Sequence, residues 1–140
     1  MTRASRNVSS NKPVRPLSPH LQVYRWQITM VMSILHRATG VALAIGAFGL
    51  AWWLVAVAAG GDAYMQVSAL LSSMPGKLVL AAFSACLVYH LLNGIRHLLW
   101  DVGYGYQIPK VYATGWTVAV LAVVITAGIW FAALRTGGAA

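Results

Sequence analysis

Three long apolar runs constrain this chain more than any other feature. They cover residues 28–59, 77–100 and 113–135, and glycine, proline or charged residues bound each of them. A helix that crosses a bilayer needs about 20 mostly apolar residues, and each run supplies that length. The pattern therefore predicts an all-α integral membrane protein with three transmembrane helices, separated by short turns.

The composition leaves no room for a separate soluble domain. Hydrophobic residues make up 59% of the 140 residues and charged residues only 9%, whereas soluble domains carry about 25% charged residues. The net charge of +8 could suggest nucleic acid binding, but no solvated basic domain exists to carry it. We therefore expect membrane lipid around the chain and no nucleic acid partner.

The segments between the runs complete the predicted layout. They are an N-terminal segment (1–27), an outer loop (60–76) whose amphipathic piece 63–73 is a candidate interfacial helix, and an inner loop (101–112). Five Lys and Arg residues precede the first run, and such residues concentrate on the cytoplasmic side of membrane spans. The N-terminus and the 101–112 loop are therefore predicted to face the cytoplasm or matrix.

The N-terminal sequence supports two further expectations. The first 15 residues, rich in Asn, Ser, Arg and Pro, are expected to form a flexible tail. The first apolar run is longer than the apolar core of a cleavable signal peptide, which has about 7–15 residues. No cleavable signal peptide is therefore expected.

His90 is the histidine placed deepest in an apolar run. Arg96 follows six residues later, about 9 Å along a helix axis at 1.5 Å per residue, so His90 cannot easily reach the membrane surface. A neutral imidazole at that depth needs a hydrogen bond or a metal. Two interpretations remain open, namely a hydrogen bond to a neighbouring helix and an axial bond to haem iron.

Other polar residues lie at the ends of the same runs. Ser33, His36 and Arg37 are spaced i, i+3 and i+4, so they share one helix face and are expected to converge on one polar site. Arg96 is interpreted either as an anchor in the phosphate layer or as a partner for an anionic cofactor group. His97 lies two turns beyond His90 on the same face.

Two segments resemble the signatures of a known family. RPLSPHLQVYRWQITMVMSILHRATG (15–40) and HLLNGIRHLLWDVG (90–103) resemble those of the cytochrome b membrane-anchor subunit of succinate dehydrogenase, respiratory complex II. Both segments match without a gap and occur in the expected order. Together they cover about 40 residues, and the three-span layout is similar to that of the family over the remainder.

The resemblance implies an assembly and its cofactors. The chain would pair with a sister hydrophobic anchor subunit, share one haem b with it, and form half of the haem-binding helical bundle. An iron–sulfur subunit and a flavoprotein would carry the iron–sulfur clusters and FAD, and would pass electrons from succinate to ubiquinone. The chain would be a non-catalytic subunit of this enzyme. It would lie in a bacterial inner membrane or, alternatively, in the mitochondrial inner membrane.

The resemblance also implies roles for individual residues. His90 resembles the axial haem ligand, and a histidine of the sister subunit would be the second. Ser33 and Arg37 resemble residues of the quinone site. Three residues are candidates for contacts with the haem propionates or for support of the ligand: His36, Arg96 and His97. Two other functions stay open, a haem-free membrane scaffold and a transporter subunit, and an absorption spectrum would separate them.

Overall fold

The computed structural model describes His20 and residues 23–137, so the predicted N-terminal tail lies outside the described part. The described part contains four helices: α1 (Ile28–Ala59), α2 (Gly61–Ser72), α3 (Met74–Asp101) and α4 (Ile108–Arg135). Helices α1, α3 and α4 are each long and apolar enough to cross a membrane. The prediction of an all-α protein with three transmembrane helices is confirmed.

The longest helix is longer than the membrane interior is thick. Helix α1 has 32 residues, about 48 Å at 1.5 Å per residue, whereas the hydrocarbon core is about 30 Å thick. The surplus lets the helix tilt or project its end turns from the membrane. Polar residues in the first turns of α1 can therefore lie close to the membrane surface without breaking the helix.

The connection between α3 and α4 is shorter than the predicted inner loop. Helix α4 begins at Ile108 rather than at residue 113, and Pro109 lies in its first turn, where the missing N–H removes no helical bond. Residues 102–107 form the whole connection. Gly103 and Gly105 have φ values of 89° and 86°, a conformation that glycine adopts without steric cost.

The predicted interfacial piece forms helix α2, which starts two residues earlier than expected. Gly60 and Gly61 have φ values of 64° and 53°, so the chain reverses directly after α1. Ser73 then caps α3 by accepting a hydrogen bond of 3.2 Å from the Gly76 N–H. This cap explains why α3 starts before residue 77, since a serine at this position satisfies a free N–H of the first turn.

Helix α3 packs against both other long helices. Gly46 of α1 faces the ring of Phe83 so closely that a side chain at Gly46 would collide with it. On the other side, Trp130 of α4 donates a 2.9 Å hydrogen bond from Nε1 to Ser84 Oγ. These contacts set the register of α1 and α4 along α3, and they place the polar second half of α3 beside the start of each.

Candidate functional site

Three histidines meet where α1 crosses α3. The His36 and His90 rings are stacked, with centroids 3.9 Å apart and planes 9° apart. The His97 ring centroid lies 5.2 Å from that of His36. His90 and His97 share a face of α3 as predicted, and the packing of α1 adds His36 to form a single cluster.

The hydrogen bonds of His90 determine which ring nitrogen carries the proton. Its Nδ1 lies 3.1 Å from the backbone oxygen of His36 and 3.2 Å from Thr39 Oγ1. A carbonyl oxygen only accepts, so Nδ1 is the donor. The Thr39 hydroxyl can accept because it donates to the carbonyls of Leu35 and His36, at 2.8 and 3.0 Å. A neutral His90 therefore has its lone pair on Nε2.

Glycines make room around this ring. A Cβ on Gly40 would lie 3.1 Å from His90 Cε1, so a larger residue would displace the ring from α1. At Gly94, a Cβ would approach only His36 Cε1, at 3.9 Å. The absence of a side chain at Gly94 thus leaves open space on α3 beside the two stacked rings.

One buried nitrogen of the cluster has no partner. His36 Nδ1 is buried and makes no hydrogen bond to any residue that the structure describes. An unsatisfied buried polar atom costs about 1–3 kcal/mol. The atom therefore marks a position where a further polar group would stabilise the protein.

The donor chemistry of these residues fits a haem. Over residues 23–137, no group of three or more His, Cys, Asp or Glu side chains is placed to hold a metal ion. Haem iron needs only axial ligands from the protein, and metal-bound histidines commonly donate their second ring N–H to a carbonyl. His90 has that arrangement, and the unpartnered His36 nitrogen lies on the ring stacked against it.

Ser33 and Arg37 form a separate polar pair on α1. Arg37 donates from Nη2 to Ser33 Oγ at 3.2 Å. The arginine is exposed and the serine is half-buried. His36, which was predicted to converge on the same spot, packs on α3 instead, because it projects from a neighbouring part of the helix surface. The predicted trio is therefore divided between the histidine cluster and an outward-facing pair.

Arg96 lies inside the protein, between α3 and α4. Its side chain is only 4% exposed and turns towards α4. It donates to Thr114 Oγ1 at 3.0 Å, to the Val111 carbonyl at 2.9 Å and to Asn93 Oδ1 at 3.5 Å. Its guanidinium also lies 4.0 Å from the centre of the Trp100 ring. These acceptors draw the guanidinium into the contact between α3 and α4, and this position argues against the anchor interpretation.

Sequence reasoning missed two residues of this region. Thr39 lies within the first motif, three residues after His36, but no role was predicted for it. Asn93, midway between His90 and Arg96, is completely buried at 0% exposure. An amide within an apolar run was the signal that could have identified Asn93.

Comparison with known proteins gives concordant matches over most of the chain. The family described as succinate dehydrogenase/fumarate reductase transmembrane subunit matches residues 11–129. The succinate dehydrogenase cytochrome b556 subunit of Rickettsia prowazekii (strain Madrid E) is 47% identical over 116 residues, which are 83% of this chain and 90% of the relative. The mitochondrial succinate dehydrogenase cytochrome b560 subunit of Homo sapiens is 40% identical over 129 residues, 89% of this chain and 73% of the relative. The family match includes both signature segments.

Proposed function

Because this chain belongs to the succinate dehydrogenase/fumarate reductase transmembrane subunit family, we propose that it is the haem b-binding membrane anchor of a succinate:quinone oxidoreductase. His90 would bind the haem iron through Nε2, and a sister hydrophobic subunit would provide the second protein ligand. The observation that carries this proposal is the 3.1 Å contact between His90 Nδ1 and the His36 carbonyl. That contact commits the ring proton to Nδ1 and leaves the Nε2 lone pair for iron.

His36 and His97 have supporting roles in this proposal. The unpartnered His36 Nδ1 would bond a haem propionate, and His97, whose ring centroid lies 5.2 Å from that of His36, would support the same contact. When bound, haem b supplies a one-electron carrier within the membrane. The protein residues hold it, orient the ligand ring through Thr39 and the His36 carbonyl, and exclude water from its surroundings.

Ser33 and Arg37 are proposed to bind ubiquinone. Arg37 donates to Ser33 Oγ, so the hydroxyl hydrogen remains available to a quinone oxygen. The positive charge of the guanidinium stabilises the negative charge that develops on the quinone during reduction. The exposed position of Arg37 leaves it accessible to a ligand outside this chain.

The remaining components of the enzyme are proposed to belong to partner subunits. A flavoprotein with FAD oxidises succinate, and an iron–sulfur subunit passes the electrons to the quinone. This chain contributes no residue to succinate oxidation. It lies in a bacterial inner membrane, or alternatively in the mitochondrial inner membrane. The proposed roles of Ser33 and Arg37 require the start of α1 to face the iron–sulfur subunit.

The proposed orientation can be tested by cysteine labelling. Tyr104 is 68% exposed in the 102–107 connection, and Asp62 is exposed at the start of α2. In a Cys86→Ser background, we expect an impermeant thiol reagent to label Tyr104→Cys from the cytoplasmic side and Asp62→Cys only from the opposite side. Labelling of Asp62→Cys from the cytoplasm would reverse the orientation.

The haem proposal is tested by spectra of two histidine variants. In the purified complex, His90→Leu should abolish the low-spin six-coordinate spectrum or the haem itself, whereas His97→Leu should retain a six-coordinate haem. If His97→Leu lost the six-coordinate spectrum and His90→Leu kept it, the haem ligand would be His97 instead of His90. If no Soret band accompanies the wild-type chain, a haem-free scaffold or transporter subunit becomes the better interpretation.

A further inference from the structure

Arg96 carries a buried charge that none of its described contacts neutralises. Its side chain is 4% exposed, and its acceptors are a hydroxyl, a backbone carbonyl and an amide oxygen. The chain has only two acidic residues, and the nearer in sequence, Asp101, is exposed at the end of α3. The full positive charge therefore remains inside the contact between α3 and α4.

Hydrogen bonding alone does not account for an arginine at this position. A neutral glutamine could also bond the Thr114 hydroxyl or the Val111 carbonyl across the two helices. A charge within a membrane span is costly and by default marks a functional site. The contribution that arginine makes here and glutamine does not is a full positive charge.

The surroundings of Arg96 connect it to the histidine cluster. Trp100 lies under the guanidinium, with 4.0 Å between the guanidinium carbon and the ring centre. The same Trp100 ring packs edge-on against His97, at a centroid distance of 5.1 Å. His90 is six residues before Arg96, about 9 Å along the helix axis. The charge is thus held at a fixed position one to two turns from the proposed iron ligand.

We propose that Arg96 raises the redox potential of the bound haem through its buried charge. This inference rests on the proposed haem-binding function. Reduction adds one electron to the iron and lowers the charge of the haem by one unit, so a fixed cation nearby favours the reduced form. For an assumed separation of about 12 Å and an effective dielectric of about 20, Coulomb's law gives roughly a tenfold effect on the ratio of reduced to oxidised haem. For a one-electron couple, a tenfold change in that ratio corresponds to a shift of about 59 mV in the midpoint potential.

The test is a potentiometric titration of the haem in the purified complex. Arg96→Gln should lower the midpoint potential by about 59 mV, which is a tenfold change for one electron. Arg96→Lys should stay close to wild type at low pH. Its potential should fall towards that of the glutamine variant at higher pH, because a buried lysine loses its proton readily. Arg135→Gln, which removes an exposed charge at the far end of α4, is the matched control and should leave the potential unchanged.

The possible outcomes separate the charge of Arg96 from its effect on helix geometry and from haem binding itself. Equal shifts in Arg96→Gln and Arg96→Lys at every pH would mean that helix geometry, and not charge, sets the potential. A normal potential in Arg96→Gln would overturn the inference while leaving haem binding intact, whereas a wild-type complex without haem would overturn the proposed function itself. If the Arg96→Gln complex does not assemble, the pH dependence of the haem potential in Arg96→Lys is the remaining test. The inference would be rejected if that potential changed with pH in the same way as in wild type.

Discussion

The hydroxyl of Thr39 offers a direct test of how α1 supports the proposed haem ligand. Thr39→Val removes Oγ1, which lies 3.2 Å from His90 Nδ1, and keeps the shape of the side chain. One neutral hydrogen bond contributes about 0.5–1.5 kcal/mol, or about 2- to 13-fold in an equilibrium constant. The His36 carbonyl remains as a second acceptor at 3.1 Å. We therefore expect haem affinity to fall by an amount within that range, which is at or below the lower end of the roughly 10- to 100-fold loss typical of removing a ligand's outer partner.

Haem retention is the appropriate assay for this variant. Transfer of haem from the purified complex to excess apomyoglobin can be followed by the Soret band, and the low-spin EPR signal reports the ligand orientation. Thr39→Ser keeps the hydroxyl and should behave like wild type. Thr117→Val removes an exposed hydroxyl whose one bond among the described residues is to the Ala113 carbonyl, at 2.9 Å, and it should also have no effect. Wild-type retention in Thr39→Val, or an equal loss in Thr117→Val, would refute the supporting role of this hydroxyl.

Two further predictions concern the quinone pair and the packing of α1. Ser33→Ala should slow quinone reduction by about 10- to 100-fold, from the loss of about 1.5–3 kcal/mol of a charge-assisted bond, and Arg37→Leu should slow it at least as much. Succinate oxidation by an artificial acceptor should survive in both, and its collapse would indicate an assembly defect instead. Gly46→Ala should destabilise the complex by about 1–3 kcal/mol through overpacking against α3, measured by thermal unfolding. Gly49→Ala, where an added Cβ meets nothing within 4 Å, is its control, and equal losses in both variants would contradict the packing argument.

The sequence by itself determined the number and type of the long helices. Apolar length identifies a membrane span without knowledge of its neighbours, because the bilayer thickness sets the requirement. The same reasoning from depth selected His90 as the ligand candidate. The loop limits were less accurate, since Pro109 and the turn glycines act through local backbone geometry that an apolar run does not reveal.

Tertiary structure decided which helix each polar side chain faces. Helical periodicity places Ser33, His36 and Arg37 on neighbouring parts of one surface, but only the packing of α3 against α1 separates His36 from the other two. Likewise, the orientation of the Arg96 side chain depends on hydrogen-bond acceptors that α4 supplies. The proton position on His90 depends on the His36 carbonyl, 54 positions away in the chain. Such contacts join residues distant in sequence, and therefore only the packed helices define them.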